Sequence, residues 1–427
     1  MSDEQGVYIE VSGLKVGMYV HLDLGWTEHP FPMSSFRLRS PEQIAKIRAL
    51  GLERVRYSPA QSELEEPDVR PAAPSEPPGP QVPRADSSRQ IEKDRRRDLL
   101  AEQRASLLQC ERQFEQASRQ FRQLWQRLVE APEVARDLAD VLVGGMVAEL
   151  VTDQEVVLRL LSDKAVGDGT LHPVNVSLVA LLLGRLMKLD AGSLTELGTA
   201  ALLHDMGKVE LPERMRWSED ILTPGERPLF RQHVARGIVI GERLGLSAGT
   251  LAQIAQHHEF TNGAGYPLGL RGDRMTLGGK ILAIVNHYDN LCNPVHPAQA
   301  FTPHDALAHM FAKGRDWFDR TLMTAFIRMM GVYPPGSVVQ LSDGRYALVT
   351  TVNSSRPLKP QVLIYQPDIP VQEALGLDLE REPGLDIQRS LSPWRLPKRV
   401  FDYLSPRRRS CYFFERARDP AAEAGNL

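Results

Sequence analysis

Across residues 135–331 apolar side chains return at spacings of three and four. The runs are broken at Gly144-Gly145, at 167–169, at Gly192, Pro212, Pro224 and Gly245, and at 263–269. That period lays one apolar face along each segment, so it predicts helices of ordinary length gathered into an all-α bundle. Before the bundle, residues 91–131 are rich in Arg, Gln, Glu and Leu, with Leu100, Leu107, Phe114, Phe121 and Leu128 at seven-residue intervals. Gln103, Cys110, Ala117 and Leu124 form an imperfect second stripe. Two readings follow: a coiled coil joining a homodimer through residues 91–131, or one long helix laying its stripe on its own domain.

Elsewhere the period changes. Residues 6–58 alternate polar with β-branched or aromatic positions around Gly17, then give a helical stretch at 41–50 and a short strand at 54–57. This predicts a small α+β module over 1–62. Seven prolines lie between Pro67 and Pro83 among few apolar residues, so 63–90 reads as an extended linker. Past the bundle, taken as 132–332, residues 337–341 and 346–351 alternate around Asp343-Gly344, and 361–365 follow as a third strand. A β-hairpin appendage over 333–385 is expected. Residues 386–427 are loosely patterned and read as an irregular tail, with Arg407-Arg408-Arg409 a solvated turn. The expected class is mainly α, a helical bundle carrying a small module at each end.

Composition narrows the partners. A chain of 427 residues suits several domains, and a net charge of -3 leaves no basic footprint for bulk nucleic-acid binding. No apolar run reaches the roughly 18 residues of a membrane span; the one starting at Val176 stops at Gly184-Arg185. The opening residues, MSDEQGVYIEVS, are acidic and polar, unlike a secretory signal. Cys110, Cys292 and Cys411 are few and scattered, which fits a reducing cytosol and offers no thiolate framework for a metal. A cytoplasmic protein with small-molecule or protein partners is expected.

The histidines supply the chemistry. His204-Asp205 closes the apolar run Ala200-Ala201-Leu202-Leu203, and His257-His258 closes Ile254-Ala255-Gln256. His172, His233 and His287 belong to the same bundle, so six of the eleven histidines, these with the two pairs' His204, His257 and His258, sit where the bundle could gather them. An isolated histidine is more often a core or surface residue than a ligand. Two adjacent pairs in apolar helical settings are different, because a buried charge is costly and coordination compensates it. Imidazoles and carboxylates without thiolates suit Fe, Mn, Ni, Co or Zn rather than Mg or Ca. Two such ions sharing Asp205 would generate hydroxide for attack on phosphorus. Lys208, one turn after His204, reads either as a phosphate contact or as a solvated lysine after a helix-ending Gly207.

These residues resemble the HD superfamily of metal-dependent phosphohydrolases, specifically its HD-GYP branch of bacterial cyclic di-GMP phosphodiesterases. The likeness covers roughly 135–350 and rests on Leu171-His172-Pro173-Val174-Asn175-Val176, Leu202-Leu203-His204-Asp205-Met206-Gly207-Lys208, His233 with Gly237, His257-His258-Glu259, Gly263-Ala264-Gly265-Tyr266-Pro267 and 286–291. Residues 14–20 and 26–31 are similar to a small module often fused to such domains. The resemblance implies an HD-type helical fold and two transition-metal ions, Fe or Mn foremost. Their ligands would be His172, His204, Asp205, His233, His257 and His258, with Lys208 on a phosphate and Gly265, Tyr266 and Pro267 shaping the substrate pocket. It further implies hydrolysis of cyclic di-GMP to the linear dinucleotide or GMP, a second-messenger function.

Two departures qualify it. The family's last aspartate ligand is replaced by Asn286, with Asp289 three residues on; an uncharged amide binds a cation more weakly. The family's arginine and Asp-Gly after the His-His-Glu motif read Phe260-Thr261-Asn262-Gly263, removing a bidentate phosphate contact. Asp168 stands where some members hold an additional metal, but within Gly167-Asp168-Gly169 a loop carboxylate is the ordinary reading. Alternatives therefore stay open: a weakened or inactive module that binds cyclic di-GMP and signals to a protein partner, or a phosphohydrolase for another nucleotide.

Overall fold

The computed structural model describes residues 7–22, 35–48, 50, 52, 54–59, 62, 85–151, 156–161, 171–216, 222–406 and 409–416. Most of the proline-rich segment, the stretch 26–31, Asp168 and Arg407-Arg408 lie outside them. The chain divides into two units, 1–90 and 91–427.

The first unit is a four-stranded antiparallel sheet, order β1-β4-β2-β3, made by β1 (Val7–Glu10), β2 (Tyr19–His21), β3 (Ser35–Arg37) and β4 (Arg54–Ser58). Helix α1 (Pro41–Arg48) buries Ile44 and Ile47, three positions apart and so on one face, among Val20, Leu38 and Val55. An α+β module results.

The second unit is mainly helical: α2 (Ala85–Arg127, its residues from 91), α3 (Pro132–Leu150), α4 (Leu171–Leu186), α5 (Ala191–Leu203), α6 (Arg227–Arg231), α7 (His233–Arg243), α8 (Ala248–Gln256), α9 (Leu277–Cys292), α10 (Pro303–Lys313) and α11 (Arg320–Met330). Helices α4 and α5 are apolar nearly all round, which suits their place at the centre, where α4 packs on α5, α9 and α11 and α5 packs on α3 and α8. Cys110, Phe114, Ala117, Phe121 and Leu124 of α2, and Leu128 just past its end, are buried in this same core, whereas Leu100 and Leu107 are only partly covered. From Cys110 onward the seven-residue stripe thus lies on its own unit, and those positions are already covered.

The bundle is not purely helical. Strand β5 (Val156–Leu160) falls between α3 and α4 and enters a seven-stranded sheet with β6 (Val338–Leu341), β7 (Tyr346–Asn353), β8 (Gln361–Ile364), β9 (Gly376–Asp378), β10 (Ile387–Leu391) and β11 (Tyr412–Arg416). The order is β10-β6-β7-β5-β11, with β8 on β7 and β9 on β8. Residues beyond 385 are therefore not an irregular tail: they supply β10, β11 and α12 (Lys398–Leu404). β11 pairs with β5, Tyr412 opposite Leu160 and Phe414 opposite Leu158, and its aromatic side chains join the main core. Among the described residues no helix is long and apolar enough to cross a membrane.

Candidate metal centre

Three helix ends aim histidines at one point by the same local device. His204 follows α5, His257 follows α8 and His233 opens α7 just after α6. Each ring turns back so that Nδ1 reaches the carbonyl three residues earlier: His204 to Ala201 at 2.7 Å, His257 to Ile254 at 2.6 Å, His233 to Phe230 at 2.8 Å. A carbonyl only accepts, so Nδ1 carries the proton in all three and each Nε2 presents a lone pair. His172, near the start of α4, is fixed in the same tautomer by Asp289 of α9, whose Oδ2 accepts from Nδ1 at 2.6 Å.

The consequence is a convergence of acceptors. Nε2 of His233 lies 3.2 Å from Nε2 of His257, and Nε2 of His172 lies 3.1 Å from Nε2 of His204. With both Nδ1 atoms protonated neither contact is a hydrogen bond; lone pairs face each other and need a cation between them. Asp205 stands at the junction. Its Oδ1 lies 3.5 Å from His233 and 3.9 Å from His257, and its Oδ2 lies 3.3 Å from His204 and 3.8 Å from His172. Two donor groups result, Asp205/His233/His257/His258 and His172/His204/Asp205, each with ligand atoms within 4.8 Å of one another. Asp205 Oδ1 and His258 Nε2 are buried without a hydrogen-bond partner, as expected of atoms reserved for a metal.

Electrostatics agree with the donor set. Burial alone would raise the Asp205 carboxyl, but Lys208, its Nζ 2.6 Å from Oδ2, holds it well below the usual carboxylate range. Burial pushes His233 down to about 4, and pushes His257 and His258 well below the ordinary imidazole value. Neutral imidazoles around an ionised carboxylate are the protonation states that metal binding requires. Imidazole and carboxylate donors fit a transition metal.

The Gly265-Tyr266-Pro267 segment closes one side. Tyr266 stacks on the His258 ring at 4.5 Å between centroids, and the Arg231 guanidinium lies over the Tyr266 ring, 4.5 Å from its centroid. Glu259, fully buried, accepts from the backbone N–H of Leu268 at 2.7 Å and Leu270 at 2.9 Å, so it ties this loop to the histidine pair. Gly265 is required there: a Cβ would press on Glu259 Cα, on the His258 carbonyl and on Phe260 N. Lys208 lies 5.2 Å from the Phe230 ring centroid, which steadies its ammonium beside Asp205.

The structure thus gathers His172, His204, Asp205, His233, His257, His258 and Lys208, with Tyr266 against His258. Asn286 is buried beside them, its Nδ2 3.4 Å from the His257 carbonyl and its Oδ1 accepting from Asn290 Nδ2 at 2.9 Å. His287 is not brought to the centre. It sits among Phe260, Trp317 and Phe318, with Nε2 buried and unpartnered. Phe260, where the family arginine would stand, stacks on Trp317 at 5.0 Å and is absorbed into that aromatic cluster. Sequence reasoning missed Asn175 and Arg231 and gave Glu259 no role; Asn175, three residues after His172 on α4, had a one-turn spacing that could have drawn notice.

His287 makes a stability test separate from catalysis. Burial lowers it from 6.5 to about 4, so it takes up a proton on unfolding when the pH lies between those values. Its contribution is complete above pH 6.5 and is lost as the pH falls toward 4. The melting temperature of metal-stripped protein should drop across that window, and His287→Phe, which keeps a ring in the aromatic cluster, should flatten the slope by about one proton. An unchanged slope would show that His287 is protonated or solvated in the native state.

Residues 147–322 match the family model described as HD domain, and residues 7–139 match a domain of unknown function (DUF3391). A cyclic di-GMP phosphodiesterase of Pseudomonas aeruginosa is 27% identical over 361 residues, 84% of each chain. A cyclic di-GMP phosphodiesterase response regulator of Xanthomonas campestris is 30% identical over 156 residues, 36% of this chain and 41% of that one. A solved protein described as an HDG"Y"P protein from Bdellovibrio bacteriovorus overlays with a TM-score of 0.41 at 16% identity, covering 75% of this chain and 97% of that one.

Proposed function

Because this chain belongs to the HD-GYP branch of the HD-domain family, we propose that it is a metal-dependent phosphodiesterase that hydrolyses cyclic di-GMP to the linear dinucleotide, GMP or both. The observation that carries this reading is the pair of lone-pair contacts, His233 to His257 and His172 to His204, converging on an ionised Asp205. Two transition-metal ions fit these donors, Fe or Mn first and Zn, Ni or Co as alternatives. One would be held by Asp205, His233, His257 and His258, the other by His172, His204 and Asp205. Bound there, the ions supply Lewis acidity toward the phosphoryl group and acidify water.

The chain's own groups bind and orient the substrate. Lys208 brings an ammonium to the shared carboxylate and takes a phosphate oxygen as negative charge builds. The Gly265-Tyr266-Pro267 loop, held by Glu259, walls the pocket beside His258.

One observation favours a second reading, a cyclic di-GMP-responsive module that binds without turnover and passes the signal to a protein partner. The three-donor group is the one left short, and Asn286, which stands where the family's last aspartate ligand would, is only an amide whose oxygen already accepts from Asn290. Metal content of chelator-free, anaerobically purified protein and product formation from cyclic di-GMP with Mn or Fe(II) decide between the two. Turnover by the natural sequence supports the enzyme. Bound metal without turnover, with turnover appearing in Asn286→Asp, supports the binding module. In either case Asn286→Asp should tighten the second metal by about 10–100-fold. Protein free of transition metal after anaerobic preparation would overturn both readings.

A further inference from the structure

Asp289 raises a question of charge. It is 2% exposed, and among the described residues no lysine or arginine pairs with it. Its neighbours are three N–H donors: His172 Nδ1 on Oδ2 at 2.6 Å, Asn293 Nδ2 on Oδ1 at 2.9 Å, and Asn175 Nδ2, in very close contact with Oδ1. A buried carboxylate held by neutral donors is costly unless its charge is answered nearby. Among the described residues His172 is its one contact with the two donor groups. A carboxylate behind an imidazole fixes its tautomer and ring plane, the arrangement that commonly backs metal-ligating histidines.

The two asparagines are themselves held, and by the far end of the chain. Asn293 donates to the Ser410 carbonyl at 3.0 Å while its Oδ1 accepts from Ser410 N at 2.8 Å. Asn175 donates to the same carbonyl at 3.3 Å and accepts from Tyr412 N at 3.0 Å. The backbone of Cys411 between them accepts from Leu161 N at 2.9 Å, next to β5. Asn175 and Ser410 are buried, so these bonds work in a low dielectric where a lost partner costs most. The chain of contacts runs β11 backbone, Asn293 and Asn175, Asp289, His172.

We propose that Asn175 and Asn293 are positioning residues for the metal centre, and that the entry to β11 (residues 410–412) is a built part of it, setting the Asp289 carboxylate that aims His172. The inference rests on the reading of His172 as a metal ligand. It makes the two donor groups unequal: the His172 group depends on the C-terminal strand, while the Asp205/His233/His257/His258 group does not.

The test compares Asn293→Ala and Asp289→Asn with Phe414→Leu in the full-length protein. Phe414→Leu trims a core side chain of β11 outside residues 410–412 and leaves the network backbone intact, so it reports on strand stability alone. Metals per chain and their release to a competing chelator are measured, with circular dichroism and melting temperature as the fold control. The expected result is a natural protein holding two metals, with one of them weakened about 10–100-fold in Asn293→Ala and Asp289→Asn, the other unchanged, and neither affected in Phe414→Leu. Should Asn293→Ala fail to fold, the isosteric Asp289→Asn decides. Two tightly held metals in both network variants, or equal loss in Phe414→Leu, overturn the proposal and leave the proposed function standing. A natural protein without metal removes the proposed function itself, and this inference with it.

Discussion

Asp205→Ala is expected to empty both donor groups together, with metal content falling below one ion per chain and, on the proposed function, cyclic di-GMP hydrolysis falling by on the order of a thousandfold or more. The reason lies in how its two oxygens are divided, Oδ1 toward His233 and His257, Oδ2 toward His204 and His172. Deleting the side chain removes the one anionic donor of both groups and leaves neutral imidazoles. It also strands Lys208, mostly buried and paired with Oδ2, beside five histidines, which further repels cations. Asp205→Asn should fall between: the amide keeps the shape and one weak donor atom but loses the charge that holds Lys208. Elemental analysis together with chromatography of the nucleotide products checks both variants. An Asp205→Ala protein that keeps two metals would mean that the ligand atoms lie elsewhere.

Gly207→Ala is expected to fail for a different reason, and to do so without touching a ligand. Gly207 lies in the short 3-10 turn after Asp205, packed on α7. A Cβ there would run into the His233 carbonyl and stand 2.5 Å from Gly237 N. Both obstacles are backbone, so no rotamer change relieves them; α7 must move away, carrying His233 from the centre. Overpacking of this kind costs about 1–3 kcal/mol, and the rigidity of both neighbours places this case at the upper end. Loss of metal from the His233 group and a melting temperature lower by several degrees are expected. Gly144→Ala supplies the control. It lies inside α3 with nothing within 4 Å of the added Cβ, and should be neutral or stabilising by about 0.5–1 kcal/mol. Equal melting temperatures for the two alanine variants would refute the packing argument.

Much of the helical unit and its histidines could be read along the chain because both are written locally. The apolar period of α4, α5 and α9 is set by neighbours three and four residues away, and Asp190, Ser247 and Thr276 cap α5, α8 and α9 through their own side chains. The helix-end histidines likewise bond to carbonyls only three residues back. β5 escaped notice because five residues are too few to separate a strand from a helical run by period, and its partners lie far along the chain, β7 near residue 352 and β11 near 414. The tail read as irregular for the same reason: β10 and β11 are short and each is defined by a distant strand.

The seven-residue stripe on α2 shows the limit from the other side. Its spacing establishes that one face is apolar but not what covers that face, since a second copy and the chain's own core satisfy the same burial requirement. The fold chose the core for Cys110 through Leu128.

What the sequence by itself determined is the mainly helical class, the histidines and carboxylate available for a metal, and the family likeness, because local period and ordered spacing survive in one dimension. Only the tertiary structure decided that Asp205 faces two donor groups, that His287 and Phe260 belong to an aromatic cluster, and that residues 410–412 reach His172 through Asp289. Those facts are distances between groups up to 237 positions apart, fixed by packing and hydrogen bonding that no local pattern records.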